Sequence, residues 1–198
     1  MTKKKLLVDF DDTICQSVFL KKVNEFLGTD YKLENFKDYL IDDVVPVEQK
    51  QDYYDSFFKS NPYIGIGLID GAKEALEKLN EYYDIYVCSA CVMPMNVKGS
   101  AKLFGFKYDY LLKELPFLDP NKFIFTSSKD IVCGDVFIDD YLHNLNGNIK
   151  TKLLFSTYHN KHFTDEELAS KGVKRVDSWQ EICKILLGNH IIKEGKIK

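Results

Sequence analysis

Long hydrophobic runs are missing from this chain. None of its segments approaches the roughly 20 consecutive apolar residues that cross a membrane as a helix. The apolar residues that follow the basic start at residues 3–5 are interrupted by Asp9, Asp11 and Asp12, so we predict no signal peptide. These absences predict a cytoplasmic protein with no membrane partner.

The chain has no excess of basic over acidic residues. The 27 lysine and arginine residues are outnumbered by 30 acidic residues, and the net charge is −3 at pH 7. Such a chain has no basic field for a nucleic-acid polymer, although a single nucleotide needs only a local cation. Arg175 is the one arginine, so the binding of a phosphate group must come from lysine, backbone N–H groups or a metal ion.

Disulfide-forming cysteines are not indicated either. The chain has 5 cysteines scattered through 198 residues, and an odd number in a chain of this size fits reduced thiols better than a disulfide framework. The length predicts about one domain, or one domain that carries an insertion. A homodimer stays an open alternative to a monomer.

What the chain does contain is a series of short apolar runs. The first, at residues 4–8, ends in acidic residues and does not alternate, which predicts a strand buried on both faces. Further strands are predicted at 84–88, 122–125, 136–138 and 152–155, and helices at 72–82, 97–104 and 178–187. Strands that alternate with helices form parallel sheets with right-handed crossovers. We therefore predict an α/β fold with a doubly wound, Rossmann-like parallel sheet.

The segment after the first predicted strand has a different pattern. Between residues 13 and 61, apolar residues such as Val18, Val23 and Phe26 recur at helical spacing, and no strand–turn–strand signal is present. We predict a small helical cap at residues 15–65, inserted into a core formed by residues 1–14 and 66–198.

Polar side chains follow the predicted strands at their carboxyl ends, where ligands bind in open parallel sheets. They are Asp9 and Asp11 after the first strand, Ser89 after the second, Lys129 after the third, and Asp139 and Asp140 after the fourth. Carboxylate oxygens from three acids suit a hard cation such as Mg²⁺, which screens a carboxylate that attacks a phosphate. A second carboxylate can move protons, and Ser89 and Lys129 can stabilise charge on a phosphoryl group.

Four of these features resemble the motifs of the haloacid dehalogenase superfamily. Asp9-Phe10-Asp11-Asp12-Thr13 is similar to its first motif, Asp-x-Asp-x-Thr after a hydrophobic strand, while Ser89, Lys129 and Ile138-Asp139-Asp140 resemble the second, third and fourth in order. The resemblance implies that Asp9 is the nucleophile, Asp11 the general acid/base, and Ser89 and Lys129 phosphate ligands. It also implies that Mg²⁺ is held by Asp9, the backbone carbonyl of Asp11 and one acid of the fourth motif.

The helical insertion and the fourth-motif segment at 137–144 resemble those of the 5′(3′)-deoxyribonucleotidases within that superfamily. This resemblance implies that Asp140 is the metal ligand and that the substrate is a deoxyribonucleoside monophosphate. Its base would stack on aromatic residues of the insertion, for which the candidates are Phe19, Tyr53, Tyr54, Phe57 and Tyr63. Ala90 departs from the pattern, since some relatives carry there a hydroxyl that touches the phosphate, and Asp12 stands where many relatives have a small residue.

Other interpretations are open at this point. A related phosphatase of sugar phosphates would have the same four motifs. Cys88 and Cys91 have the spacing of a redox motif, and with His159 and His162 they could bind zinc. A non-catalytic nucleotide-binding module on this fold is a further alternative, because a fold does not determine a function.

Overall fold

Six short strands form one parallel sheet. The structure is a computed structural model and describes residues 2–146 and 148–194. The strands are β1 (Lys4–Val8), β2 (Tyr83–Ser89), β3 (Phe123–Phe125), β4 (Gly134–Asp139), β5 (Ile149–Phe155) and β6 (Val173–Val176). Their order across the sheet is β3-β2-β1-β4-β5-β6, and every neighbouring pair is parallel. The predicted doubly wound α/β fold is confirmed.

The strand order reverses beside β1, which places a crevice there. From β1 the chain proceeds outward through β2 and β3, and then crosses back to β4 on the other side of β1 before continuing to β5 and β6. Val8 is in register with Val87 of β2 and with Ile138 of β4. In open parallel sheets such a switch point opens a crevice at the carboxyl ends of the two diverging strands. The residues after β1 and β4 therefore lie at the position where a ligand binds.

Helices cover both faces of the sheet. They are α1 (Val18–Leu27), α2 (Lys50–Phe57), α3 (Ala72–Asn80), α4 (Val97–Glu114), α5 (Asp165–Ser170) and α6 (Trp179–Glu194). Because strand side chains alternate, Leu6 and Val8 join the hydrophobic layer on one face while Leu7 joins the layer on the other. The indole N–H of Trp179 donates to the carbonyl of Thr13 at 3.0 Å, which ties the start of α6 to the loop after β1.

Several elements differ from the sequence predictions, and helix α6, predicted to end at 187, extends to Glu194. Helix α4 extends to Glu114, well past the predicted end at 104. Gly99 and Gly105 lower the helix propensity of this segment, but tertiary packing keeps it helical. Strand β6 was missed because it is a short edge strand. Helix α5 was missed although Thr164 and Glu167 form a capping box at its start, a pattern that can be read from sequence.

The segment between β1 and α3 is helical. It contains α1, α2 and short 3₁₀ turns, and no strand occurs at residues 16–65. Its two ends run side by side, since Gln16 N–H donates to Gly67 and Ile69 N–H donates to Ile14, both at 2.9 Å. The division into core and cap at residues 15 and 65 stays a prediction. Within the described ranges, no helix is long and apolar enough to cross a membrane.

Candidate active site

Three buried carboxylates meet in the crevice between β1 and β4. Asp9 follows β1, Asp139 ends β4 and Asp140 comes next, and they have oxygen atoms within 4.8 Å of one another. The residues are only 7 %, 0 % and 3 % exposed, respectively. Three buried negative charges this close together are unfavourable unless positive charges and hydrogen bonds offset them.

Lys129 supplies one positive charge to this cluster. It lies in a short turn after β3, and its ammonium donates to Asp9 Oδ1 at 2.5 Å and to Asp139 Oδ2 at 2.8 Å. Burial lowers the pKa of Lys129, but the charges of Asp139 and Asp9 outweigh burial and raise this pKa above its ordinary value. The lysine is therefore charged, and it fixes the carboxylate of Asp9 in place.

Asp139 is fully occupied by hydrogen bonds. Besides Lys129 at Oδ2, its Oδ1 accepts the backbone N–H of Tyr141 at 2.9 Å and the side-chain amide of Asn144 at 3.0 Å. Burial raises the pKa of Asp139 to about 6, against the lowering effect of Lys129. With both oxygens engaged, Asp139 orients Lys129 and has little capacity left for a ligand.

Asp140 is held by two consecutive residues that follow β5. Nε2 of His159 lies 2.8 Å from its Oδ2, and the side-chain amide of Asn160 donates to its carbonyl at 2.8 Å. Burial, followed by the charges of Asp9 and Asp139, raises the pKa of Asp140 well above its ordinary value. A bound divalent cation would relieve this repulsion. Three carboxylates with a single lysine, offering oxygen ligands only, therefore fit a hard metal ion.

Asp11 points away from the cluster and has different partners. Its Oδ2 accepts from Lys107 at 2.6 Å, and its Oδ1 accepts from the hydroxyl of Tyr63 at 2.7 Å. The strand ends at Val8, so Asp9 and Asp11 do not share a strand face. The carboxylate of Asp11 is thus outside the metal-binding cluster. The predicted contribution of its backbone carbonyl to the metal stays a prediction.

Lys107 joins Asp11 to the end of β2. Besides Asp11, its ammonium donates to the hydroxyl of Ser89 at 2.9 Å and to the carbonyl of Ala90 at 2.5 Å. Burial lowers the pKa of Lys107, but the charge of Asp11, its hydrogen bond and smaller contributions from Cys91 and Asp9 together raise this pKa above its ordinary value. The sequence analysis missed this lysine. A signal existed, because Lys107 lies between Leu103 and Leu111 on the buried stripe of α4.

The first-motif loop has a turn at Asp12. This residue adopts φ 55°, in the left-handed region that aspartate tolerates better than most non-glycine residues. Burial and the charges of Asp11 and Asp9 raise its pKa to about 8. The hydroxyl of the neighbouring Thr13 is buried without a hydrogen-bond partner among the described residues. The chain therefore turns directly after Asp11.

Four of the five predicted base-stacking residues, Tyr53, Tyr54, Phe57 and Tyr63, are buried in the structure, which disfavours stacking on a ligand. Tyr53 is 0 % exposed inside the helical segment, where its ring packs edge-on against Phe26, so it has no face left for a ligand. The ring of Tyr63 is buried between Phe10 and Tyr110, with centroid distances of 5.3 Å and 5.7 Å, and only its hydroxyl reaches the site. Aromatic residues dominate cores, and here packing prevails over ligand contact.

The other two predicted substrate residues have different surroundings. Phe19 is half-buried and packs on Phe57 at a centroid distance of 5.3 Å. Ala90 is exposed directly after β2, and its methyl side chain offers no hydrogen bond to a phosphate. Substrate contact by Phe19 and Ala90 stays a prediction.

The aromatic residue of the insertion that reaches the acid cluster is Tyr39. Its ring stacks on Tyr141 at 4.4 Å and meets His159 edge-on at 5.0 Å. Burial of its phenol end and the charges of Asp140 and Asp9 raise its pKa above the ordinary value. Tyr39 borders a cavity of about 320 Å³ that His159 and Asn160 also line. It lies in an irregular segment without periodicity, so no pattern in the sequence indicated it.

The cysteines do not form a redox or zinc site. Cys88 and Cys91 are free and buried, and burial raises their pKa values to about 12 and about 11, which disfavours the reactive thiolate. His159 contacts Asp140, and the aspartate cluster is the only metal-binding group found in the part of the chain that the structure describes. The geometry thus disfavours both alternatives.

Solved structures with this fold are hydrolases of the haloacid dehalogenase class. One from Streptococcus pneumoniae, described as haloacid dehalogenase-like, is 15 % identical, with a TM-score of 0.51 and coverage of 92 % of this chain and 98 % of the other. A hydrolase of that class from Deinococcus radiodurans, with bound phosphate and sodium, is also 15 % identical, with a TM-score of 0.52 and coverage of 96 % and 97 %. The chain therefore shares its fold with hydrolases of the haloacid dehalogenase class.

The particular family follows from the sequence. The chain belongs to the family described as "5′ nucleotidase, deoxy (Pyrimidine), cytosolic type C protein", whose sequence model matches residues 3–192. A putative 5′(3′)-deoxyribonucleotidase of Staphylococcus aureus is 29 % identical over 198 aligned residues, covering 96 % of this chain and 98 % of the relative. The 5′(3′)-deoxyribonucleotidase of Clostridium acetobutylicum is 28 % identical, covering 81 % and 86 %. The protein is therefore a phosphatase of the 5′-nucleotidase type, and the resemblance noted in its sequence is confirmed.

Proposed function

We propose that the protein is a Mg²⁺-dependent 5′(3′)-deoxyribonucleotidase that hydrolyses deoxyribonucleoside monophosphates through a phosphorylated Asp9. One observation carries this proposal. Asp9 and Asp11 are two residues apart, yet each is bound by a different buried lysine, Lys129 and Lys107. The two carboxylates can therefore serve as nucleophile and proton carrier without sharing an environment.

In the first step, a carboxylate oxygen of Asp9 attacks the phosphorus of the substrate. The O–P bond to Asp9 forms while the bond to the nucleoside oxygen breaks, and that oxygen takes a proton from Asp11. Lys129 offsets the charge on the transferred group. The hydroxyl of Ser89 accepts its hydrogen bond from Lys107, so its own proton is free to donate to a phosphate oxygen.

In the second step, water attacks the phosphorus of the aspartyl phosphate. Asp11 removes the proton of the water, inorganic phosphate leaves, and Asp9 returns to its ionised form. Lys107 and Tyr63 hold Asp11 by its two oxygens, which orients the carboxylate in both steps.

Asp9, Asp140 and the carbonyl of Asp11 would hold the magnesium ion. When bound, it supplies charge screening that lets a carboxylate approach a phosphate. The acid cluster supports this assignment through its buried, undercompensated charge. The phosphate and sodium bound by the Deinococcus hydrolase, which has the same fold, are consistent with it.

The helical segment at 15–65 is proposed to act as the cap that covers the leaving group. Tyr39 extends from this segment to the edge of the acid cluster, which places an aromatic ring where a nucleoside base could stack. The names of the relatives support a deoxyribonucleotide, and the family description favours a pyrimidine base. Free, buried cysteines support action in the reducing cytoplasm.

A panel of phosphates, assayed with and without EDTA, tests the proposal. We expect turnover of dUMP and dTMP that EDTA abolishes and Mg²⁺ restores, and little turnover of glucose 6-phosphate. Activity on sugar phosphates without activity on dUMP or dTMP would favour the sugar phosphatase. Absence of turnover with every phosphate, together with binding of nucleotides, would favour the non-catalytic module.

A further inference from the structure

Asp140 is fixed at two points by two consecutive residues of the loop after β5. His159 contacts its side chain at Oδ2, and Asn160 donates to its backbone carbonyl, both at 2.8 Å. Within the described residues, no hydrogen bond is made to the other oxygen, Oδ1. We propose that His159 and Asn160 are positioning residues that aim Asp140 at the metal ion, and that Arg175 holds both of them in place. The inference rests on the proposed function, in which Asp140 is a metal ligand.

The contact with His159 leaves the carboxylate of Asp140 free to bind a cation. Nε2 of His159 lies 2.8 Å from Asp140 Oδ2, and from this position a neutral imidazole donates a hydrogen to the carboxylate. A neutral donor occupies one oxygen without cancelling the negative charge. This differs from Asp9 and Asp139, which a charged lysine bridges. Donors that orient a ligating carboxylate in this way raise metal affinity.

Asn160 uses its whole side chain to hold the loop. Its amide donates to the carbonyls of Asp140 and Phe155, and its Oδ1 accepts from the backbone of Thr157 at 3.1 Å and from Arg175 at 3.1 Å. The side chain is buried, so losing any partner would leave a polar atom unsatisfied. The loop therefore cannot move without disrupting this network.

The guanidinium of Arg175 in β6 completes this hydrogen-bond network. Its Nη1 donates to Asn160 Oδ1, while Nη2 donates to the carbonyls of Asn160 at 3.2 Å and Phe163 at 2.8 Å. Several acceptors spread over one loop match the planar guanidinium and not the point charge of lysine. In a chain of 27 basic residues, the single arginine is located at this network.

The alternative is that His159 only packs the loop. It is buried and meets Tyr39 and Tyr158 edge-on, each at 5.0 Å. A packing role predicts that a ring of similar shape replaces the imidazole, whereas a positioning role requires the hydrogen at Nε2. The two roles therefore differ between phenylalanine, which keeps the ring, and glutamine, whose side-chain amide can place a donor near Nε2.

The test measures Mn²⁺ binding by electron paramagnetic resonance, with Mg²⁺ as competitor and no substrate. His159→Phe should weaken binding about ten- to a hundredfold, and His159→Gln should stay close to the wild type. His162→Phe, an exposed neighbour, is the matched control and should bind as the wild type does. Excess Mg²⁺ should also restore the turnover of His159→Phe.

Arg175→Lys is the second variant, in case His159→Phe does not fold. Lysine keeps the positive charge but lacks the planar guanidinium that donates to several acceptors, so we expect several-fold weaker Mn²⁺ binding. Unchanged Mn²⁺ affinity in folded His159→Phe or Arg175→Lys overturns the positioning role while leaving the nucleotidase proposal intact. A wild type that binds no Mn²⁺ or Mg²⁺ overturns the metal site of the proposed function itself.

Discussion

The two halves of the site each pair an aspartate of the loop after β1 with a buried lysine. In the first half, Lys129 faces Asp9 and Asp139, with Asp140 beside them. In the second half, Lys107 faces Asp11 alone. The first half thus has three carboxylates for one lysine and lacks a positive charge, whereas the second is balanced. This difference supports the proposal that a cation binds beside Asp9 while Asp11 carries protons.

The largest effect is expected from Asp9→Asn, which removes the nucleophile of the first half. Turnover of dUMP should fall by at least about a thousandfold, because a neutral amide cannot form the phosphoryl intermediate. Steady-state kinetics with saturating Mg²⁺ measure the loss. Asp109→Asn, on the exposed surface of α4, serves as the control and should retain full activity. Magnesium-dependent turnover that survives Asp9→Asn would refute covalent catalysis.

Asp11→Asn should have the next largest effect, and this effect should depend on the leaving group. Loss of the proton donor should cost about a hundred- to ten-thousandfold with dUMP. With p-nitrophenyl phosphate the loss in the first step, measured as the burst of nitrophenolate, should be much smaller, because nitrophenolate leaves without a proton. Asp9→Asn should be equally impaired with both substrates. An Asp11→Asn defect of the same size for both would mean that the two halves do not divide their roles as proposed.

Lys107→Met should lower turnover without changing metal affinity, and this combination would distinguish the two halves of the site. We expect turnover to fall about ten- to a hundredfold, because Asp11 and Ser89 lose their common donor. Mn²⁺ affinity should stay unchanged, since Lys107 does not contact the acid cluster. Measuring Mn²⁺ binding alongside turnover checks both points, and a clear change in affinity would show that the halves are coupled.

Tyr63→Phe should have the smallest effect, about tenfold or less in kcat, as expected for one hydrogen bond. KM for dUMP should not change, because the ring of Tyr63 is buried and only its hydroxyl reaches Asp11. Tyr39→Ala, in contrast, should raise KM with little change in kcat. A rise of KM in Tyr63→Phe would indicate that Tyr63 contacts the substrate.

Much of the site could be predicted from local sequence. Asp9, Ser89, Lys129 and Asp140 all follow apolar runs that form strands, and parallel strands bring their carboxyl ends to one edge. Lys107 could have been recognised as a lysine on the buried stripe of a helix. Tyr39 and His159 gave no such signal, because each reaches the site from a loop whose path depends on its packing against distant residues.

The distribution of charge between Asp9 and Asp11 depends on the folded chain. The order of residues determines that both carboxylates follow a buried strand, since strand formation depends on local hydrophobicity and propensity. It does not determine which lysine each one meets. That depends on the end of β1 at Val8 and on the placement of Lys107 and Lys129, which come from different elements of the chain. Electrostatic interaction depends on distance in space, so residues far apart in sequence acquire their charge partners only when the tertiary structure forms.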